Sequence, residues 1–540
     1  MTVPWSGWGD PARRPGLPPR ARAFLRRELG LPAGAPPRLP VPAGSVALPP
    51  SALPAPVRDR LARIVGADHV REDRGARLAH AGGQSYGDLV RRRAGDAAGA
   101  PDAVVLPGDA AQVGAVLRVC GEAGVAVVPY GGGTSVVGGV AARRGRFGAV
   151  VSMDLRRLDR LLAVDEESLT ATVQPGLSGP RLAELLAVRG LTLGHLPQSF
   201  ERSTVGGWVA TRSAGQASTG YGRVDALVVA LRAQTPVGEL VLGRGPASAA
   251  GPDLRALLVG GEGAFGVVTE VTLRVRRRPV AGAYEGWSFP GFGGGLTAFR
   301  RLAQEGVAAD VCRLSDAEET RVTLAQAGRV ATAYLTLRGH RGGCLAILGW
   351  EGGTAAVRRR RRDARRVLRA HGGRRLGRAV GRGWERGRFS APYLRDDLLD
   401  AGVLVETLET AASWSRLPAL HAAVRDALAG ALRRSGGSPL VLCHVSHLYP
   451  TGASLYCTVL DRAEPGAELA RWDAAKRAAT DTIMAGGGTL THHHGVGADH
   501  LRWLPAEVGE LGVELLRTVK RRLDPAGVLN PGVLVPEEER

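Results

Sequence analysis

The spacing of apolar residues along this 540-residue chain changes from segment to segment. Val57, Leu61 and Val65 recur at helical spacing, so a helix is expected over Val57 to Val65. Ala103-Val104-Val105-Leu106 is a short unbroken apolar run, the mark of a strand buried on both faces. Asp109 can cap a following helix whose Val113, Leu117 and Cys120 share one face. Further buried strands are expected at Val125 to Val128 and at Val150 to Leu155. Leu161 to Val164 and Leu169 to Val173 flank Asp165-Glu166-Glu167-Ser168 as a hairpin. Residues 99–278 are therefore expected to form an α/β unit. The texture changes near Pro279, and 279–499 has the pattern of a second, α+β unit. Val508 to Arg522 is expected to be a helix ended by Asp524-Pro525, within a C-terminal segment 500–540. In the segment 1–98, the first 55 residues are rich in Pro and Arg and are expected to lie over the surface as an extended arm. No repeat of solenoid period is present.

Composition bounds the function. Hydrophobic residues make up 44% of the chain, enough for sizeable cores. Lys and Arg number 71 against 51 Asp and Glu, a formal charge of +20; only Lys476 and Lys520 are lysine, so 69 of these cations are arginine. Such an excess favours anionic partners. Ala, Gly, Pro and Arg are raised together, however, as GC-rich coding produces, and that accounts for the bulk of the charge. The run Arg358 to Arg362, continued by Arg365 and Arg366, is expected on a solvated helical face. Cys120, Cys312, Cys344, Cys443 and Cys457 are scattered and odd in number, which disfavours a disulfide scaffold or a zinc-cysteine site and fits a reducing compartment. No apolar run approaches a membrane span.

Three glycine- and hydroxyl-rich segments carry the chemistry. Pro129-Tyr130-Gly131-Gly132-Gly133-Thr134-Ser135 follows a buried strand, and its backbone N–H groups can form an anion-binding nest. Val136 and Val137 stand where a nucleoside-triphosphate P-loop has its lysine. Gly261-Glu262-Gly263-Ala264-Phe265-Gly266 satisfies G-x-G-x-x-G, but a helical stretch precedes it and a strand, Val267 to Val275, follows. That order is the reverse of a nicotinamide-binding turn. Between them lies Ser203-Thr204-Val205-Gly206-Gly207-Trp208-Val209-Ala210-Thr211-Arg212-Ser213, suited to a flat ligand pressed against backbone. Together they suggest a long cofactor such as a flavin dinucleotide.

The order of these motifs resembles the FAD-binding fold of the vanillyl-alcohol oxidase and para-cresol methylhydroxylase (PCMH) superfamily, and within it the alkyldihydroxyacetonephosphate synthases of ether-lipid synthesis. The matching stretches run from Trp5-Ser6-Gly7-Trp8-Gly9 through Pro129 to Ser135, Gly194-His195, Ser203 to Arg212 and Glu262 to Val268. They continue at Arg313-Leu314 with Asp316, and at Thr491-His492-His493-His494-Gly495-Val496-Gly497. The resemblance implies an α+β protein: a PCMH-type FAD-binding domain of two subdomains, an α+β substrate (cap) domain, and a helical C-terminal segment packing back on the FAD domain. It implies FAD contacts at Pro129, Tyr130, Gly131, Gly132, Gly133, Thr134 and Ser135, at Gln198, Ser199, Ser203 and Thr204, at Thr211, Arg212, Ser213 and Ala214, and at Glu262, Gly263, Gly266, Val267 and Val268. The glycine loop holds no His or Cys, so the FAD is expected to be non-covalent.

The implied reaction exchanges the fatty-acid carboxylate of an acylated dihydroxyacetone phosphate for a fatty alcohol, with no net redox. By the same resemblance Tyr456 is the acid/base group, Arg395 binds substrate through a fork to phosphate, and Arg313 is a further functional arginine. A tyrosine with its ordinary pKa near ~10 needs cationic neighbours to act as a base. His492, His493 and His494, taken as a strand, alternate faces, so one or two are expected to act and the rest to be structural. His444-Val445-Ser446-His447 adds imidazoles, but no metal is expected without a nearby Cys or paired carboxylate. Relatives that oxidise 2-hydroxy acids carry E-H-G-x-G near the end, and His493 replaces that carboxylate here; an FAD-linked 2-hydroxy-acid or alcohol oxidoreductase is the alternative. Tyr449-Pro450 and Asn530-Pro531-Gly532 depart from the synthase pattern. The expected partners are a phosphorylated lipid-like substrate and a fatty alcohol, with no nucleic acid; peripheral membrane contact and a homodimer stay open. The C-terminal Glu537-Glu538-Glu539-Arg540 is not a Ser-Lys-Leu address, and a cytoplasmic protein of bacterial type is expected.

Overall fold

The computed structural model describes residues 5–536; the C-terminal Glu537 to Arg540 lies outside them. The expected alternation of short apolar runs and amphipathic helices produces a four-stranded sheet in the order Val70–Arg71, Ala103–Val105, Ala149–Asp154, Val125–Tyr130, whose last three strands are parallel. Asp109 caps the helix Ala110–Ala123 by accepting from Gln112 N–H, and Gly124 ends it at φ 62°. Val113, Leu117 and Cys120 pack with Leu61 of the helix Ala55–Val65 and with Val127 and Val151 of the sheet. A second, antiparallel sheet has the order Leu161–Asp165, Thr170–Val173, Val267–Arg274, Val228–Thr235, Gly238–Leu242. The segment after the helix Leu504–Leu523 returns to the first sheet, where Val127 exchanges hydrogen bonds with Val528 and Asn530.

The remaining large sheet is antiparallel and seven-stranded: Arg374–Gly377, Ala281–Phe289, Cys344–Gly352, Val311–Ser315, Leu440–Leu448, Gly452–Arg462, Val403–Ser413. The helices Phe292–Gln304, Thr354–Ala370 and Leu417–Arg434 pack on it. Period-two alternation then fixes what the strands offer elsewhere. Leu442, His444 and Ser446 on one strand, Tyr456, Thr458 and Leu460 on its neighbour, and Val405 and Thr407 on the edge strand all line one cavity. Among the described residues no helix is long and apolar enough to cross a membrane.

Two expectations need correction. The N-terminal arm is not merely extended: Pro19–Leu29 is a helix whose Phe24, Leu25 and Leu29 enter the large core beside the helix Ala317–Leu337. Pro at its start and Gly30 at φ 64° after its end are ordinary helix punctuation that the surrounding proline-rich composition masks. Trp8 is also buried, its backbone N–H donating to Asp396 Oδ2 at 2.8 Å. Gly9 sits at φ 55°, where a Cβ would fall 2.6 Å from the Tyr393 hydroxyl, so no side chain is tolerated.

The arginine run is not simply a solvated face either. Arg361 and Arg365 turn inward and, with Arg375, surround the fully buried Glu285, while Arg360 grips Asp310. Arg362 and Arg366 keep to the surface beside Asp363. These guanidinium groups hold the Glu285 carboxyl down at about 2 against the cost of burial. Its stabilising effect is therefore complete above the ordinary carboxylate pKa of ~4.3 and is lost as pH falls from there to about 2. Glu285→Gln is expected to lower the unfolding free energy at pH 7 by about 3 kcal/mol, because it leaves three half-buried arginines without their counter-charge. Urea midpoints at pH 7 and pH 3 check this: the variant's deficit should shrink at the lower pH, and an equal deficit at both would contradict the assignment.

Candidate active site

The loop after Val125–Tyr130 is tightly packed by its own neighbours. A Cβ on Gly132 would meet Arg202 O at 2.1 Å, and one on Gly133, at φ 65°, would meet the Tyr130 hydroxyl at 2.0 Å. The N–H groups of Gly131, Gly132, Gly133, Thr134 and Ser135 find no backbone acceptor among the described residues. Five consecutive free donors make an anion nest. The loop opens on a cavity of about 520 Å³. Gln198, Ser199, Ser203, Thr204, Thr211, Ser213, Ala214, Glu262, Gly263, Gly266, Val267 and Val268 line the same space. Arg212 does not: at φ 51° it turns away, and its guanidinium donates to Val259 O and Ala256 O, tying two glycine segments together from behind.

The opposite end of the cavity is the face of the seven-stranded sheet. Tyr456 lies across from His444 in register, their rings stacked at 4.9 Å. Burial pushes the Tyr456 phenol up to about 12, so at neutral pH it is a protonated hydrogen-bond donor. Burial outweighs the pull of Arg395, the cation that acts on the phenol. Arg313, expected as a further functional arginine, donates to Glu319 Oε1 at 2.7 Å. Arg395 donates through both terminal nitrogens to Gln84, at 2.7 and 3.0 Å, and keeps a buried Nε without a partner. Both arginines line the cavity; the fork of Arg395 is engaged by Gln84, and one terminal nitrogen of Arg313 by Glu319.

Residues 491–497 form a loop and not the strand assumed in the expectation for the histidines. The N–H groups of His492, His493 and His494 all converge on the buried Glu409 carboxylate, at 2.8 to 3.1 Å, and the Thr491 hydroxyl joins them at 2.6 Å. The next turn donates the N–H groups of Val496 and Gly497 to Glu262 at 2.7 and 2.8 Å. His493 and His494 reach the cavity. His492 lies behind it, hydrogen-bonded to the Tyr449 hydroxyl at 2.7 Å and to His493 at 3.0 Å. Burial lowers all three imidazoles, His492 and His494 to about 3, so they are neutral near pH 7. The Glu409 carboxyl lies well below its usual range despite burial, with the Thr491 hydroxyl and the loop's N–H groups donating to its ionised form. Glu409, His492 and His493 bring ligand atoms within 4.8 Å of one another, but the carboxylate oxygens already accept the loop's N–H groups. Glu262 has no cation nearby, and burial raises its carboxyl to about 7.

The residues fit FAD. The nest supplies donors for a pyrophosphate, and Gly206, Gly207, Gly263 and Gly266 leave room for flat rings against backbone. Gln216, Gln84 and His447 line the cavity, and each keeps one buried polar atom, Oε1, Nε2 and Nδ1 respectively, without a protein partner. Sequence reasoning missed Glu409, Glu319 and Gln84. Glu319 alone left a local trace, since Asp316 and Glu319 have capping-box spacing before a helix.

Residues 101–243 match the FAD binding domain family, and 278–534 match the FAD linked oxidases, C-terminal domain family. The chain is 35% identical over 509 residues to the alkyldihydroxyacetonephosphate synthase of Trypanosoma brucei brucei, covering 91% of this chain and 82% of that one. A solved alkyldihydroxyacetonephosphate synthase structure superposes with a TM-score of 0.85 at 29% identity, covering 98% of each chain. A p-cresol methylhydroxylase structure, at TM-score 0.67 and 15% identity over 90% of this chain and 98% of that one, shares the fold. A PCMH-type FAD-binding domain joined to an FAD-oxidase cap, with relatives that match nearly end to end, places this chain in the alkyldihydroxyacetonephosphate synthase family.

Proposed function

We propose that this protein is an FAD-dependent alkylglycerone-phosphate synthase, exchanging the acyl group of acyl-dihydroxyacetone phosphate for a fatty alcohol. One observation carries the reading beyond family membership. A single cavity joins the anion nest, the neutral imidazoles of His493 and His494, the Tyr456 phenol, and an apolar wall of Leu394, Leu398, Val405, Leu442 and Leu460. That wall suits an alkyl chain, and its burial in water-poor surroundings strengthens every polar contact beside it.

FAD, when bound, supplies a reactive centre at the substrate carbon that lets the exchange proceed without net redox. Gly131 to Ser135 would hold its pyrophosphate, and with no His or Cys in that loop the FAD is expected to be non-covalent. Arg395, steadied by Gln84, contributes the positive charge on the cavity wall that an anionic substrate needs. Tyr456, protonated at pH 7, donates to oxygen on which charge develops. His493 and His494 stay neutral and add donors without presenting a competing cation.

The purified protein is expected to be yellow, and acid or denaturant should release all its flavin as free FAD; flavin retained on the chain after precipitation would contradict the non-covalent reading. Acyl-dihydroxyacetone phosphate and a labelled fatty alcohol should yield an ether with no electron acceptor consumed. Bleaching by a 2-hydroxy acid with no ether formed would favour an oxidoreductase. Tyr456→Phe is expected to lower kcat by about 100-fold or more with the flavin absorbance unchanged, whereas activity within a few-fold of the parent would remove Tyr456 from the chemistry.

A further inference from the structure

Beside Tyr456 the cavity wall carries a second titratable group that the resemblance did not assign. His444 lines the cavity from the strand Leu440–Leu448. Its Nδ1 lies 3.1 Å from Glu319 Oε1, on the first turn of the helix Ala317–Leu337. The capping-box spacing suggests that Glu319 should reach back to the N–H of Asp316. That N–H instead donates to Cys443 O, while Asp316 Oδ1 accepts from Glu319 N–H at 2.8 Å. Glu319 is thereby released to turn inward, where Arg313 grips the same oxygen. Its other oxygen is buried with no partner.

The chemistry of this arrangement is directional. Arg313 and His444 hold the Glu319 carboxyl far below its usual range, so it is ionised and can only accept. The proton of neutral His444 therefore sits on Nδ1, and Nε2 carries the free lone pair. Burial and Arg313 lower the His444 pKa, which keeps the ring neutral at pH 7. The groups facing it are Glu319, Arg313 and Asp316, the stacked Tyr456, and His447 on its own strand. A carboxylate-oriented neutral imidazole is a base, whereas Tyr456 as a protonated phenol is not.

Resting on the synthase reading, we propose that His444 is the base that takes the proton of the incoming fatty alcohol, with Glu319 and Arg313 as its positioning residues. Over the exchange the alcohol O–H bond breaks and its proton passes to His444 Nε2. The alcohol oxygen's electron pair forms the new C–O bond to the reacting carbon. The bond from that carbon to the fatty-acid oxygen breaks, and its electron pair leaves on the carboxylate. The imidazolium, stabilised by Glu319, then gives its proton to that carboxylate or to water, and no electrons are gained or lost.

The test is the pH profile of kcat/KM for the fatty alcohol, on holoenzyme whose flavin absorbance matches the parent. The parent should show an acid limb below the ordinary imidazole pKa of ~6.5. Glu319→Gln, which keeps an acceptor oxygen, removes the charge that raises the His444 pKa and should move that limb to lower pH with a reduced plateau. His444→Gln should lower the plateau by about 100-fold or more and abolish the limb, and Tyr456→Phe should leave the limb where it is. A limb unmoved by Glu319→Gln, or His444→Gln activity within about threefold of the parent, would overturn the proposal. A parent that forms no ether would count against the synthase reading alone. Nitrogen-15 NMR of labelled histidine still tests the pair then, since protonation of neutral His444 on Nε2 rather than Nδ1 would overturn it.

Discussion

Five backbone N–H groups, from His492, His493, His494, Val496 and Gly497, end on two buried carboxylates, and the active site is built outward from that junction. A loop carrying three imidazoles has no ladder to hold it, and its buried donors need acceptors. Glu409 comes from the edge of the seven-stranded sheet and Glu262 from the glycine-rich turn of the other unit, so the loop is clamped by both walls of the cavity at once. Glu262 also accepts, through its own carbonyl, from Asn530 of the returning C-terminal segment. Loop, sheet, glycine turn and chain end are therefore one cooperative unit around the ligand space.

This clamp decides the protonation of the site. Because N–H dipoles satisfy Glu409, the nearby imidazoles need not be cations, and burial keeps them neutral. With neutral imidazoles around it, Tyr456 has little to pull its proton away, and its phenol stays up at about 12. The positive charge that does reach the cavity, on Arg313 and Arg395, is tethered to Glu319 and Gln84. The wall that results is rich in oriented donors and poor in mobile charge, the kind of preorganised environment that stabilises developing charge without reorganising.

What the sequence made legible follows the range of the interactions. The glycine nest, the helix after Asp109 and the hairpin near Asp165 rest on local rules of turn, cap and alternation, and they stand where the pattern put them. Glu409 was invisible because its partners lie 82 to 85 residues away, and the local capping-box spacing of Glu319 says nothing of His444, 125 residues off. Nothing in the residues around Glu409 distinguishes a carboxylate that will accept a distant loop. A strand reading of the three histidines gives way to a competing principle, the demand of buried N–H groups for acceptors, which curls the segment around one carboxylate. The N-terminal helix was hidden by composition: proline around it suggests an arm, yet Phe24, Leu25 and Leu29 at helical spacing find a core to enter.

The arginine excess divides along the same line. A surface arginine pair contributes little, and pairs such as Arg362 with Asp363 fit that description. Arg361, Arg365 and Arg375 around Glu285 are different, because each closes a charge that burial would otherwise forbid. Arg313 with Glu319 extends the principle into the active site. There a cation keeps a carboxylate ionised, the carboxylate fixes an imidazole tautomer, and the charge acts on the reaction through two intermediaries without touching phosphate. A coding bias supplies guanidinium groups without regard to place; buried acidic residues select the few that become structure, and the position of Glu319 on the cavity wall turns one of those into chemistry.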